Sequence, residues 1–263
     1  MSSRVAASWS CRPDPAHPSF HVKHDQVVPD LAGGLFGDRL PLAVRYVEHL
    51  ATTGVDWGLI GPREVPRLWE RHVLNCAVVG ELVPPGSRVI DLGSGAGLPG
   101  LPLALCRPDL QILLVEPLLR RAQWLEQVVA DLALGQVEVR RARAEQLAGE
   151  SAVPVVTARA VAPLDRLARW GLPLLGPGGA LLAIKGRTAQ QEVAETAAQV
   201  WRAGGVSTEI LAVGGELLGE ATTVVRVRVG DLGVSDSKVG ASGRRPSPAR
   251  PGSRSQPRRT SSE

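Results

Sequence analysis

Residues Asp91 to Gly100 read DLGSGAGLPG, and no other stretch narrows the possible fold so far. The run SRVI (87–90) precedes them and LPLALC (101–106) follows. A strand, a glycine-rich turn and a helix in that order form the corner at which an open α/β sheet turns backbone amides toward a ligand. Four glycines within eight positions, Gly93, Gly95, Gly97 and Gly100, let the chain bend sharply and let a ligand rest on bare main chain. Gly95, Gly97 and Gly100 also satisfy the G-x-G-x-x-G spacing of dinucleotide sites, a weak signal by itself.

Downstream, strands and helices alternate. Strands are predicted at about 87–92, 111–116, 137–142, 154–159 and 180–185, and helices at about 98–106, 118–134, 164–175 and 188–203. The third of these helices is expected to end at the Gly-Pro-Gly-Gly turn 176–179. Two last strands, 207–213 and 222–229, have no helix predicted between them and should pair antiparallel. The fold class is therefore α/β: a Rossmann-like, mostly parallel sheet closed by an antiparallel C-terminal hairpin. Upstream, 31–85 is predicted as a helical cap, with Tyr46, Val47 and Leu50 on one amphipathic helix and Leu68, Trp69, His72, Val73 and Cys76 on another. The domain spans 31–230. It is flanked by a Ser-, Pro- and His-rich extension over 1–30 and an Arg-, Ser- and Pro-rich tail over 231–263, both expected to be disordered.

The charge balance excludes an overall basic field. The tail holds seven basic and three acidic residues; removing them from the chain's 30 basic and 26 acidic residues leaves 23 of each. Any nucleic-acid contact by the body must then come from local patches. Three scattered cysteines, Cys11, Cys76 and Cys106, point to a reduced compartment, and no leader or long apolar run is visible, so the expected location is the cytoplasm with no membrane contact. Cys11 with His17, His21 and His24 has only loose metal spacing, and no metal is expected.

Three observations turn the glycine cradle from a pyrophosphate toward S-adenosylmethionine. Asp91 closes the first strand, where its carboxylate can face an ammonium or order the turn through backbone amides; a pyrophosphate has no use for that anion. The glycine pattern starts at the strand end, with Gly93, Gly95 and Gly97 spaced by two. The closing hairpin is the terminal feature of Rossmann-like S-adenosylmethionine enzymes. Glu116 ends the second strand, 25 positions after Asp91, where a carboxylate can accept both hydroxyls of a ribose diol. Ala144 and Glu145 follow the third strand, where an adenine would rest; Glu145 reads equally as a helix N-terminal charge.

Taken together, DLGSGAGLPGLPLAL, LVEPLLRRAQWL, ARAEQL, VTARAVAPL and AIKG, with WERHVLNC upstream, resemble the small-subunit ribosomal RNA methyltransferase G family (glucose-inhibited division protein B) from about Leu42 to Val229. The resemblance implies methylation of N7 of a guanine, nucleotide 527, in the decoding-region loop of 16S rRNA, with S-adenosylmethionine as methyl donor. It carries over Gly93 and Leu98 in the turn, Ala144 and Glu145 after the third strand, and Arg159 after the fourth as cofactor residues; Gly95 and Glu116 join them from the reading above. Asn75-Cys76 and Glu116-Pro117 depart from the family, many of whose members read Asp-Ser at both places; the second departure keeps its carboxylate.

Guanine N7 has an in-plane lone pair and no proton to lose, so no catalytic acid or base is expected and positioning carries the reaction. The expected partner is 16S rRNA or the small ribosomal subunit, met by a monomer. Arg outnumbers Lys 27 to 3, and the candidate RNA contacts are His72, Arg140, Arg159 and Lys185. Further arginines stand beside them: Arg63, Arg67 and Arg71 in the cap, then Arg120, Arg121, Arg141 and Arg143. Methylation of another acceptor, or a non-catalytic RNA-binding module on this fold, are the alternatives.

Overall fold

The computed structural model describes residues 28–149 and 152–231. The extension up to residue 27, the tail from 232 and the Cys11, His17, His21 and His24 group lie outside the described residues.

Seven strands form one sheet: β1 Arg88–Leu92, β2 Gln111–Val115, β3 Val137–Arg140, β4 Val153–Arg159, β5 Leu175–Lys185, β6 Gly205–Val213 and β7 Thr222–Val229. Their order is β3-β2-β1-β4-β5-β7-β6. Neighbours pair in parallel except at β7, which lies antiparallel to both β5 and β6. The predicted closing hairpin is present, and it places its second strand inside the sheet and its first at the edge. β1 and β2 are buried at four of their five positions, as strands covered on both faces must be.

In the N-terminal region, α1 Asp30–Phe36, α2 Leu40–Ala51 and α3 Thr53–Asp56 are followed by a 3-10 turn over Pro62–Arg67, wide π-type turns over Leu68–Leu74 and α4 Asn75–Ala77. Beyond β1 come α5 Gly100–Cys106, α6 Leu119–Asp131, a 3-10 turn Ala144–Leu147, α7 Leu164–Gly171 and α8 Ala189–Arg202. One core joins the N-terminal helices to α5 and α6 through Tyr46, Leu50, Leu68, Trp69, Leu101 and Trp124. The other packs α7 and α8 on the opposite face, through Leu164, Leu167, Ala168 and Val200 against Ile90, Leu92 and Val156. Hydrogen bonds seat the cap on α6: Trp124 Nε1 donates to Thr53 Oγ1 at 3.0 Å, and Arg45 and His49 both meet Asp131, at 2.7 and 2.9 Å.

Two boundaries differ from the sequence reading. The helix begun at Leu164 stops at Gly171, and a 3-10 turn takes Leu172–Leu174. Gly176–Gly179 is the bulged start of β5 and does not precede it: Val153 pairs with Leu175 while Val155 pairs with Ala180, so the glycines absorb a register shift. A one-turn helix, α9 Gly215–Leu218, also stands between β6 and β7, where no helix was predicted. Among the described residues no helix is long and apolar enough to cross a membrane.

Trp124 is 1% exposed and bonds across the cap interface, so Trp124→Ala opens a cavity and removes a hydrogen bond to Thr53 together. Urea unfolding should show a loss of about 3–5 kcal/mol.

Candidate functional site

The order of the sheet reverses beside β1: β2 and β3 extend to one side, β4 and β5 to the other. Ligands of open α/β sheets bind in the crevice at the carboxyl ends of the strands at such a switch point. Here a cleft of about 800 Å³ lies against Leu92 and Gly93 after β1, Val115–Leu118 after β2, Arg141–Gln146 after β3 and Ala160–Val161 after β4.

The turn from Gly93 to Gly100 is built around Asp91, which is fully buried. Asp91 Oδ1 accepts from Thr157 Oγ1 of β4 at 2.9 Å, and Oδ2 accepts from the Gly100 amide at the start of α5 at 3.2 Å. Ser94 Oγ donates to the Asp91 carbonyl at 2.9 Å. The carboxylate thus orders the turn, one of the two roles its position allowed. Burial pushes its pKa up to about 7 against the hydrogen bonds that favour the anion.

Most of the other amides of the turn are consumed within the protein. Gly93 and Ser94 donate to Val115 O, Gly97 and Leu98 to Ser94 O, and Gly95 to Glu116 Oε2 at 3.0 Å. A pyrophosphate seeks free amides at a helix N-terminus, and the first amide of α5 is already held by Asp91. What the turn offers is a bare surface. Gly93 has φ +65°, and a Cβ there would come within 2.7 Å of Val161 across the cleft floor. At Gly100 a Cβ would stand 2.9 Å from Asp91 Oδ2, so only glycine allows strand and helix to approach this closely.

Glu116 is 2% exposed and lines the cleft. Its Oε2 takes the Gly95 amide and its Oε1 the Leu118 amide, both at 3.0 Å. Each oxygen retains a second lone pair, so an oriented carboxylate remains able to accept a vicinal diol. Ala144 and Glu145 line the same cleft, on a 3-10 turn initiated by the Gln146 side chain, which accepts from the Arg143 amide at 2.7 Å. The cleft therefore gathers Gly93, Glu116, Ala144 and Glu145. Gly95 touches it through Glu116, and Leu98 packs instead on the core beneath the cap.

Arg159 ends β4 but turns into the cap. Its Nη2 donates to Arg71 O at 3.1 Å and His72 Nδ1 at 2.7 Å, and its Nη1 to His72 O at 3.3 Å and Cys76 Sγ at 3.1 Å. Cys76 thus serves as an acceptor for this guanidinium; Asn75 Nδ2 donates to Arg71 O. Burial, then the Arg159 charge, lowers the His72 pKa. His72 Nε2 lies 2.9 Å from Glu64 Oε2. Lys185 Nζ donates to Ala162 O at 3.0 Å and to Glu192 Oε1 at 2.8 Å, and the same Glu192 oxygen accepts from the Leu164 amide. Lys185 is therefore a clamp on the segment 160–164 that borders the cleft. Arg140 pairs with Glu138 at 2.9 Å on the exposed end of β3, while Arg121, Arg141 and Arg143 reach the cleft itself.

Sequence reasoning did not find Tyr46, Thr157, Glu64 or Glu192. Tyr46, wholly buried, donates its hydroxyl to Ala96 O at 2.7 Å and so ties α2 to the glycine turn. It is the chain's single tyrosine, which was the available signal.

A family model described as "GidB: rRNA small subunit methyltransferase G" matches residues 39–218. A relative from Renibacterium salmoninarum named "Ribosomal RNA small subunit methyltransferase G" is 59% identical over 206 residues, 78% of this chain and 96% of that relative. One of the same name from Thermobifida fusca is 52% identical over 231 residues, 88% of this chain and 96% of that one. Among solved structures, a Methanococcus maripaludis protein described provisionally as an S-adenosyl-L-methionine-dependent methyltransferase superposes with a TM-score of 0.51 at 14% identity, covering 72% of this chain and 92% of that one. M. jannaschii TYW2, solved in complex with AdoMet, superposes with a TM-score of 0.50 at 13% identity, over 63% and 78% of the two chains. These two likenesses concern the fold.

The raised pKa of Asp91 has a signed consequence. Between about pH 4 and pH 7 the native carboxyl keeps a proton that the unfolded chain has shed, so its contribution to stability is full below the unfolded pKa and is lost as pH rises through the native one. The unfolding free energy of the wild type minus that of Asp91→Asn should fall steadily across that window. A difference that stays level or rises from pH 4 to 7 in urea titrations contradicts this assignment.

Proposed function

The chain belongs to the rRNA small subunit methyltransferase G family, and from that premise we propose that it transfers a methyl group from S-adenosylmethionine to N7 of a guanine, nucleotide 527, of 16S rRNA. The observation that carries the cofactor half is the Glu116–Gly95 bond: a buried carboxylate lining the cleft, beside a turn most of whose amides are already bonded within the protein. The residues present fit the cofactor. Glu116 would hold the ribose hydroxyls, the 3-10 turn at Ala144 and Glu145 would border the adenine, and bare backbone at Gly93 would let the ligand lie flat on the strand end. When bound, S-adenosylmethionine supplies an electrophilic methyl on a sulfonium.

The work left to the protein's own residues is modest in chemistry and strict in geometry. N7 of guanine has its lone pair in the ring plane and carries no hydrogen, so the site requires no general base. Orientation of the base against the cleft, and exclusion of water from it, supply the rate. Val161 walls the cleft opposite Gly93, and the Lys185–Glu192 clamp holds the segment that carries it. Arg121, Arg141 and Arg143 at the rim suit phosphate oxygens of the RNA. His72, Arg140, Arg159 and Lys185 stand in this reading as near neighbours of the RNA-binding surface, with Arg159 and Lys185 acting through the elements they hold in place.

The test is incubation with tritiated S-adenosylmethionine and unmodified 30S subunits, followed by mapping of the label; label on N7 of a single 16S guanine is expected, and label on protein or another RNA position overturns the reading. Glu116→Ala should weaken S-adenosylhomocysteine binding in calorimetry by about 10- to 100-fold, the scale of one or two charge-assisted hydrogen bonds. Glu116→Gln should lose less, because the amide oxygen still accepts.

A further inference from the structure

Glu64, His72 and Arg159 form a hydrogen-bonded line from the cap to the carboxyl end of β4. Arginine has five donors and no acceptor. The imidazole nitrogen 2.7 Å from Arg159 Nη2 must therefore present a lone pair, which makes His72 Nδ1 bare and puts the ring proton on Nε2. That proton has one acceptor in view, Glu64 Oε2 at 2.9 Å. Glu64 is itself set for the task. It sits on a turn between Pro62 and Pro66, its Oε1 meets Arg67 at 3.0 Å and Arg71 at 3.6 Å, and its bond to His72 with these arginines holds the carboxyl below its usual range. Without that acceptor the Nε2 proton loses its partner, and only the Arg159 contact itself still favours that tautomer. The other tautomer sets an N–H against the guanidinium, and Arg159 loses its shortest bond.

We infer that Glu64 is a positioning residue: by holding the His72 proton on Nε2 it fixes the Arg159 guanidinium, and with it the strand end from which Ala160 and Val161 enter the cleft. Glu64 lies outside the cleft lining, so its route to the strand end runs through His72 and Arg159, while its other oxygen meets Arg67 and Arg71. The effect on turnover rests on the rRNA-methylation reading above; the tautomer does not.

Two measurements on the full chain separate them. Nitrogen-15 NMR of the histidine rings, with the His72 signals identified by their loss in His72→Gln, should show Nδ1 unprotonated and Nε2 protonated at pH 7.5, and Glu64→Ala should raise the share of the Nδ1–H tautomer. An Nδ1–H tautomer or an imidazolium in the wild type, or an unchanged spectrum in Glu64→Ala, overturns the inference whatever the enzyme methylates. In methylation of 30S subunits, Glu64→Ala should lower kcat/KM about tenfold with S-adenosylhomocysteine affinity within about twofold of wild type, and Glu64→Gln, whose amide oxygen accepts the same proton, should recover most of the loss. The double variant Glu64→Ala/Arg159→Ala should be no worse than Arg159→Ala. Additive losses, or Gln failing as badly as Ala, would show a purely structural role and sink the proposal. If the wild type labels no 30S RNA, the rRNA reading fails and the tautomer experiment still decides this one.

Discussion

A carboxylate removed from water must be met by donors, and Asp91 satisfies that demand with groups from elements distant in sequence. Thr157 belongs to β4 and Gly100 to α5, while Asp91 is the last residue but one of β1. One side chain thus binds the two strands flanking the switch point to the first helix after β1. The absence of a Cβ at Gly100 lets the helix come near enough to donate, and the left-handed glycines between bring the chain there in so few residues. Because the carboxylate takes the leading amide of α5, the corner loses the anion-binding character that the same outline has in dinucleotide folds.

The rest of the cleft is secured from two sides by groups that do not enter it. From the cap, Tyr46 holds the Ala96 carbonyl, and Arg71, His72 and Cys76 together hold the Arg159 guanidinium. From the far edge, Lys185 and Glu192 grip the segment after β4. Both sides use a charged group, mostly shielded from solvent, to satisfy backbone carbonyls or amides. This is how irregular connections can be buried next to a site without orphaned polar atoms.

How much of this was legible beforehand follows from the range of the interactions involved. The positions of β1, β2 and β4, and the cleft residues Gly93, Glu116, Ala144 and Glu145, could be read because each lies within a few positions of an apolar strand whose periodicity is local, whereas the order of the strands could not. Gly176–Gly179 misled because Gly-Pro-Gly-Gly signals a turn, whereas a bulged strand end can absorb the same residues when its neighbour's register demands it. The one-turn helix at 215–218 is too short to leave a periodic trace. Arg159 was expected at the cofactor or the RNA; it found carbonyls and a ring nitrogen more than eighty positions away, a pairing that no local pattern encodes. The Glu64 link is invisible for the same reason, since its meaning depends on which nitrogen of His72 faces Arg159.

The placement of β7 between β5 and β6 bears on how the chain is made. Synthesis delivers β6 before its only neighbour exists, and it leaves β5 with an open hydrogen-bonding edge until residues 222–229 emerge. The last strand to leave the ribosome is therefore a wedge driven into the sheet, with every backbone group on both flanks waiting for it. The ladders that join β1 to β2 and β4 and β2 to β3 need none of these later residues, so the chain that builds the cofactor corner is complete before the strand that seals the sheet is made.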